Sequence, residues 1–344
     1  MKILYLGDSW PDGTCAQRRE ALRRLGHEVT AWNPGRLIPG QGRIPFFDSF
    51  NVRTGYRLVA GIVASRLRAR LLHESWDLVW VDCGAQLSPA FYRWLRKSRA
   101  PVVNYMTDNA FQSRDHKKWD LYRQCLPLHD LTVVPRVGNV SEARRAGAKD
   151  VMRVYFSYDP VAHAPSPGAA EAKKVHDVIF VGSWMPERGP FARAVLQRGL
   201  SLSILGNGWR RSPEWPDLKG RWLGGSVYGR AYVEAIESAR IAIGLLSKGN
   251  QDLHTQRSVE IPFIGSAAFC AERTTEHMEM YREGVEAVFW NTPDECAEAC
   301  RRLLADPAEC ARMAVRAKKR VVGLKLSNDE VMASILERVG ADRP

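Results

Sequence analysis

Two carboxylates eight residues apart, Asp252 and Glu260, bracket a cation, Arg257, within the run Gln251 to Pro262. Ionised carboxylates accept paired hydrogen bonds from vicinal hydroxyls, so Glu260 suits a ribose and Asp252 a hexose hydroxyl. Arg257 between them suits phosphates, by charge-assisted and bidentate bonds. Carboxylate, cation and hydroxyl partners in that spacing fit a sugar nucleotide. A capped surface helix, with Asp252 or Thr255 near its start and solvated charges, would produce the same letters.

A second group of residues lies upstream, in the turn FVGSWMPERGPF. An apolar strand runs into Gly182 and Ser183, and a helix follows near Arg188. Backbone amides and a helix N-terminus at such a turn favour an anion, and Arg188 adds a charge-assisted contact. A turn of this kind also serves merely to join a strand to a helix. His254, two residues after Asp252, could orient the donor or the acid. The other histidines form no spaced metal set.

The positioning elements alternate. KILYLG, EVTAW, DLVWVD and PVVNYMTD read as buried strands. Between them lie helical stretches at CAQRREALRRLG, Tyr56 to His73 and PAFYRWLRKSR. Strands alternating with helices of this length indicate a parallel sheet covered on both faces, with the ligand crevice at the strands' C-terminal ends. Asp8, Asp82 and Asp108 all fall at such ends, where an acid either ends a strand and caps the next helix or acts as a base. After LTVVP, a stretch rich in Pro and Ala, SYDPVAHAPSPGAAEAKK, reads as a linker and expected hinge at residues 160–176. The pattern then restarts with DVIFVG, LSLSILG, IAIGLL and AAFCAE, and ends in amphipathic helices.

FVGSWMPERGPF, ILGNGW, DLHTQRSVEIPFIGSAAFCAERTTEH and YREGVEAVFW resemble the C-terminal half of the spore-maturation-protein-like glycosyltransferases. DLVWVDCG, NYMTDN, LHDLTVVPRVGNV and YFSYDPVAHAP extend the resemblance more loosely over the first half. The group is similar to the wider retaining GT-B transferases, whose two acids, with seven residues between them, contact the donor sugar and the nucleotide ribose. Glu260 matches the second position, and Asp252, one methylene shorter, stands at the first.

The resemblance implies an α/β GT-B fold of two facing Rossmann-like domains with a deep interdomain cleft. It implies an N-terminal acceptor domain over residues 1–165, a C-terminal donor domain over 176–325, and a final helix, 326–344, packing back on the first. It further implies transfer of a sugar from a nucleoside-diphosphate sugar to a hydroxyl of a glycan, glycolipid or small molecule. Arg188 and Arg257 would stabilise the leaving diphosphate, Gly182 and Ser183 would let it approach, and no obligatory metal or other cofactor would be needed. Retention would let the diphosphate take the acceptor's proton, whereas inversion would require a first-domain base, Asp8 or Asp108. A GT-B sugar-nucleotide epimerase, or a non-catalytic binder of sugar nucleotides or glycans, would use the same pocket.

Composition bounds these expectations. The 344 residues suffice for two domains. Lacking an apolar run long enough to span a bilayer, and with an N-terminus unlike a secretory signal, the chain is expected in the cytoplasm. Seven scattered cysteines without a C-x-x-C pair are expected reduced and half-buried. Residues 1–165 hold 25 Lys+Arg against 15 Asp+Glu, a net +10, and the rest only +2. The basic helices could meet an anionic lipid surface at the inner face of the membrane, to which a lipid-linked acceptor would belong. Nucleic acid is not expected, because no module interleaves the cations with stacking aromatics.

Overall fold

The computed structural model describes residues 1–44, 46–169 and 173–340. The chain divides into two compact units. Unit 1 comprises Met1–Tyr155 together with the stretch from Asp329 onward, and unit 2 comprises Phe156–Asn328.

Unit 1 is built on six parallel strands: β1 (Lys2–Leu6), β2 (Glu28–Trp32), β3 (Leu78–Asp82), β4 (Val102–Tyr105), β5 (Leu131–Val134) and β6 (Val151–Arg153). Their order is β2-β1-β3-β4-β5-β6. All five residues of β3 are buried, as an all-parallel sheet covered on both faces requires. The helix Thr14–Arg24 is followed by Gly26 at φ 84°, which turns the chain back into β2. The basic helix expected from Tyr56 begins only at Ala60. Gly55 and Tyr56 both have positive φ, and a Cβ on Gly55 would sit 2.5 Å from the Lys117 carbonyl, so the backbone there turns before it can coil.

The last helix, Asn328–Gly340, completes unit 1. Val331, Met332 and Ile335 are buried in one cluster with Ile3, Tyr5, Leu22 and Trp80. Ion pairs fasten it at both ends, Arg24 to Asp329 at 2.5 Å and Arg338 to Asp150 at 3.0 Å.

Unit 2 repeats the architecture with β7 (His176–Val181), β8 (Leu202–Leu205), β9 (Trp222–Gly224), β10 (Ala239–Gly244), β11 (Ala268–Glu272) and β12 (Val288–Trp290). The order is β12-β11-β10-β7-β8-β9, again wholly parallel. Each sheet therefore has one place where the strand order reverses, between β1 and β3 in unit 1 and between β7 and β10 in unit 2. Open α/β sheets bind ligands at such points, outside the strands' C-terminal ends.

The expected linker differs from the structure. Residues 156–169 belong to unit 2 and are pinned there. The Asp159 carboxylate accepts from the Val161 and Ala162 amides, Ser166 donates to Glu237 through both its amide and its hydroxyl, and Asn328 donates its amide to the Tyr158 carbonyl. Pro and Ala here mark irregular backbone held by side chains rather than a free tether. The remainder of that linker, residues 170–172, lies outside the described residues, as do residues 341–344 of the terminal stretch.

The cysteines are all free thiols. Five are buried rather than half-buried, because small apolar side chains fill sheet and helix interiors. Cys270, Cys296 and Cys300 bring their sulfurs within 4.8 Å of one another in the unit 2 core.

Candidate active site

In unit 2, β7 delivers the chain into Gly182 at the reversal point. The Gly182 amide donates to the Leu205 carbonyl at 2.8 Å, and its own carbonyl accepts from the Trp209 indole at 2.9 Å. A Cβ on Gly182 would lie 2.7 Å from the Phe180 ring, and one on the neighbouring Gly206 would lie 2.0 Å from the Gly182 carbonyl. The turn is thus two backbones in contact, and only glycine fits. Ser183 follows, exposed, as the chain turns towards the helix Arg188–Gln197.

Arg188 opens that helix and is buried. Its guanidinium donates to the Ser183 carbonyl at 2.7 Å and, more weakly, to the Leu245 and Leu246 carbonyls at 3.4 Å, just past the end of β10. Its Nε is buried with no hydrogen-bond partner. Among the described residues no carboxylate comes within ion-pair distance. Burial, joined by the nearby Arg257 and opposed by Glu187 and Asp252, brings the guanidinium down to about 10. At neutral pH it remains charged, so the crevice holds a cation that the protein itself does not neutralise.

Arg257 begins the helix Arg257–Ile264. Its Nε points at the Val181 carbonyl at 3.4 Å, and its guanidinium lies 4.1 Å from the Tyr232 ring centroid. One turn later, Glu260 takes an ion pair from Arg257 on one oxygen. Its other oxygen faces His163 Nε2 at 3.5 Å. His163 Nδ1 accepts from the Asp159 amide at 3.0 Å, which places the neutral ring's proton on Nε2, towards the carboxylate. Burial alone would raise the Glu260 carboxyl, but Arg257 and then His163 outweigh it and hold it below the usual range. Asp252 is buried in the loop before this helix, its amide donating to the Ser247 carbonyl at 3.2 Å.

The crevice therefore gathers Gly182, Ser183, Arg188, Asp252, Arg257 and Glu260. His254 is differently employed. Its Nε2 accepts from the Phe156 amide at 2.9 Å and its Nδ1 pairs with Glu276, so both ring nitrogens face protein groups. Sequence reasoning missed His163 and Tyr232. His163 is 97 positions before Glu260 in a stretch that reads as linker, and no local spacing signals the pair.

In unit 1 the reversal point is a cavity of about 1140 Å³. Asp8, Asp82 and Asp108 all line it, at the ends of β1, β3 and β4. Asp82 is spent internally. Arg18 grips it with two bonds, 2.7 and 2.9 Å, and the Tyr5 hydroxyl donates at 2.5 Å. Asp8 is exposed, one oxygen accepting from the Trp10 amide at 2.7 Å. Asp108 is half-exposed, 3.4 Å from Lys118. Arg36, Arg43, Asp48, Arg66 and Lys118 complete the charged lining.

Residues 188–337 match the family model described as "Glycosyl transferase-like". A search of the curated proteins finds no match. Among solved structures the chain is similar to sucrose-phosphate synthase from Thermosynechococcus elongatus, with TM-score 0.72, 13% identity, and all of both chains covered. It is similar to Anabaena Alr3699/HepE in complex with UDP-glucose, with TM-score 0.67, 14% identity, and 99% of this chain and 100% of that one covered. It is also similar to the α,α-trehalose-phosphate synthase (UDP-forming) from Burkholderia xenovorans in complex with glucose-6-phosphate, with TM-score 0.62, 13% identity, and 98% and 99% covered. Two parallel six-stranded sheets of these orders, with these neighbours, are the GT-B fold. The matched stretch, less than half of the chain, covers the crevice from Arg188 to Glu260.

Proposed function

We propose that this chain is a metal-independent, retaining transferase of the spore-maturation-protein-like branch, moving a sugar from a nucleoside-diphosphate sugar to a hydroxyl acceptor. The observation that carries it is Arg188, a buried, un-neutralised cation beside a second cation at the reversal point of unit 2. Such a pit is costly when empty and favourable around a diphosphate.

The roles follow from the geometry. The diphosphate occupies the Gly182–Ser183 turn, with Arg188 and Arg257 as its cations and the N-terminus of the helix Arg188–Gln197 behind it. Glu260 has two of about four lone-pair positions taken, which leaves acceptors for ribose hydroxyls. Asp252 takes a hydroxyl of the donor sugar. His254 holds the loop that carries Asp252. In transfer, the bond from the anomeric carbon to the diphosphate oxygen breaks and one to the acceptor oxygen forms. The acceptor's proton passes to the leaving diphosphate, whose charge the two arginines absorb in place of a metal. Asp8 and Asp108 face the acceptor in the unit 1 cavity. The UDP and UDP-glucose complexes of structural neighbours support a nucleotide-sugar donor.

Calorimetry against UDP, GDP, dTDP, CMP and ADP, with and without chelator, tests this. Metal-free binding of one nucleoside diphosphate, weakened by about 1 to 3 kcal/mol in Glu260→Ala, is the expected outcome. Binding that needs a divalent ion, or is indifferent to Glu260, would refute the assignment. The anomeric configuration of the product, read by NMR, is expected to match the donor's. An inverted product would transfer the proton-accepting role to Asp8 or Asp108.

A further inference from the structure

We propose that Arg43, Ile44 and residues 46–62 of unit 1 form a lip that seats the protein on an anionic lipid bilayer, beside the mouth of the unit 1 cavity. The exposed large apolar side chains of unit 1 concentrate here. Phe46 is 88% exposed, Leu58 67%, Ile44 54%, Phe50 51% and Ile62 41%. They come in two pairs at one-turn spacing. Phe46, the left-handed residue just before the helix Phe47–Arg53, and Phe50 within that helix form one pair, and Leu58, two residues before the helix Ala60–Leu71, and Ile62 in its first turn form the other. The opposite faces are already used, since Asn51, Tyr56, Val59 and Val63 are buried. A surface helix in water turns its polar face outward, and these two present apolar residues on the outside as well.

Charge selects the occupant. Residues 36–73 contain seven arginines and one acid, Asp48. Arg53 and Arg57 are exposed between the two apolar pairs. A second copy docking face to face would oppose arginines to arginines. Aromatic and aliphatic side chains flanked by arginines match instead an anionic headgroup layer, the apolar groups entering the acyl boundary while the guanidinium groups stay at the phosphates. Among the described residues no helix is long and apolar enough to cross a membrane, so the contact is interfacial.

The same segment supplies cavity lining. Gly40 to Arg43, Asp48 and Tyr56 face the 1140 Å³ space, whose other charged residues include Asp8 and Asp108. An acceptor anchored in the bilayer would reach the cavity over this lip. That last step rests on the proposed function, whereas the docking itself does not.

The test is co-sedimentation of the full chain with vesicles of phosphatidylcholine alone or of equal parts phosphatidylcholine and phosphatidylglycerol, with nucleoside-diphosphate calorimetry run in parallel. The expected result is binding about tenfold or more tighter to the anionic vesicles at about 0.1 M salt. Phe46→Ser with Phe50→Ser should lose about tenfold, as should Leu58→Ser with Ile62→Ser, which guards against one pair failing to fold. Arg53→Glu with Arg57→Glu should abolish the anionic preference, and nucleotide affinity should not move in any variant. Equal binding to both vesicle types, or wild-type binding by both serine pairs, would overturn the proposal. So would a concentration-dependent dimer that the serine pairs dissolve while vesicles are ignored. Loss of nucleotide binding with vesicle binding intact would sink the proposed function and leave the lip standing.

Discussion

The two crevices occupy equivalent places in equivalent sheets, yet they treat charge in opposite ways. In unit 1 the buried charge is Asp82, and the protein neutralises it completely with Arg18 and Tyr5. In unit 2 the buried charge is Arg188, held by carbonyl oxygens and left without a counter-ion. A closed ion pair shapes a wall, while an open cation is stabilised further only when an anion arrives. The same topology thus serves structure on one side and binding on the other.

The sharpest way to break this contrast is to unbalance Asp82. Asp82→Ala should strand the Arg18 guanidinium, 2% exposed, and cost about 3 to 5 kcal/mol in urea unfolding. Nucleotide affinity in the surviving folded protein should be unchanged. Arg188→Ala should do the reverse, leaving the urea midpoint nearly fixed while lowering kcat by about 100- to 1000-fold, the scale of a lost transition-state donor. Arg188→Lys should recover only part of that, because an ammonium cannot keep the carbonyl fork and meet a diphosphate together.

A smaller effect should be shared by both units. His129 in unit 1 and His277 in unit 2 are fully buried, and burial holds them at about 3 and about 4, against 6.5 when free. The unfolded chain therefore takes up protons between pH 6.5 and those values that the native chain refuses. Stability should be level above about pH 6.5 and fall below it, by on the order of 2 kcal/mol per histidine at pH 5. Urea midpoints against pH check this, and His129→Gln should remove the unit 1 share of the slope. Smallest of all, Asp8→Asn and Asp108→Asn should each raise the acceptor KM by about three- to tenfold with donor affinity unchanged, the cost of about one ordinary hydrogen bond. A fall in kcat of about 1000-fold in either would instead mark that carboxylate as the catalytic base.

The sheets were legible wherever strands are buried runs, as in LVWVD and ARIAIG, because parallel strands with two covered faces announce themselves by continuous apolarity. The short edge strands Val151–Arg153 and Trp222–Gly224 carry no such run and escaped notice. The sequence groups Arg188, Arg257 and Glu260 through turns at the ends of strands, and the fold brings the three into one crevice. His163 was not legible, since its partner is distant in sequence and its own neighbours look like linker. His254 was misleading for the converse reason. Its place two residues after Asp252 suggests a shared ligand, but its ring is engaged by the Phe156 amide and Glu276.

The helix Asn328–Gly340 has a bearing on how the protein is made. Its apolar face fills a hole among Ile3, Tyr5 and Trp80, so the first sheet to leave the ribosome must wait for the last helix. At about 5 to 20 residues per second, the intervening chain takes roughly 10 to 35 s to synthesise. During that time unit 1 exposes an unfilled apolar groove, while unit 2, which ends at Asn328, has its whole sequence before the last helix is made. Vectorial synthesis thus favours the later unit folding first, and a nascent-chain arrest series should find protease resistance appearing in unit 2 before unit 1.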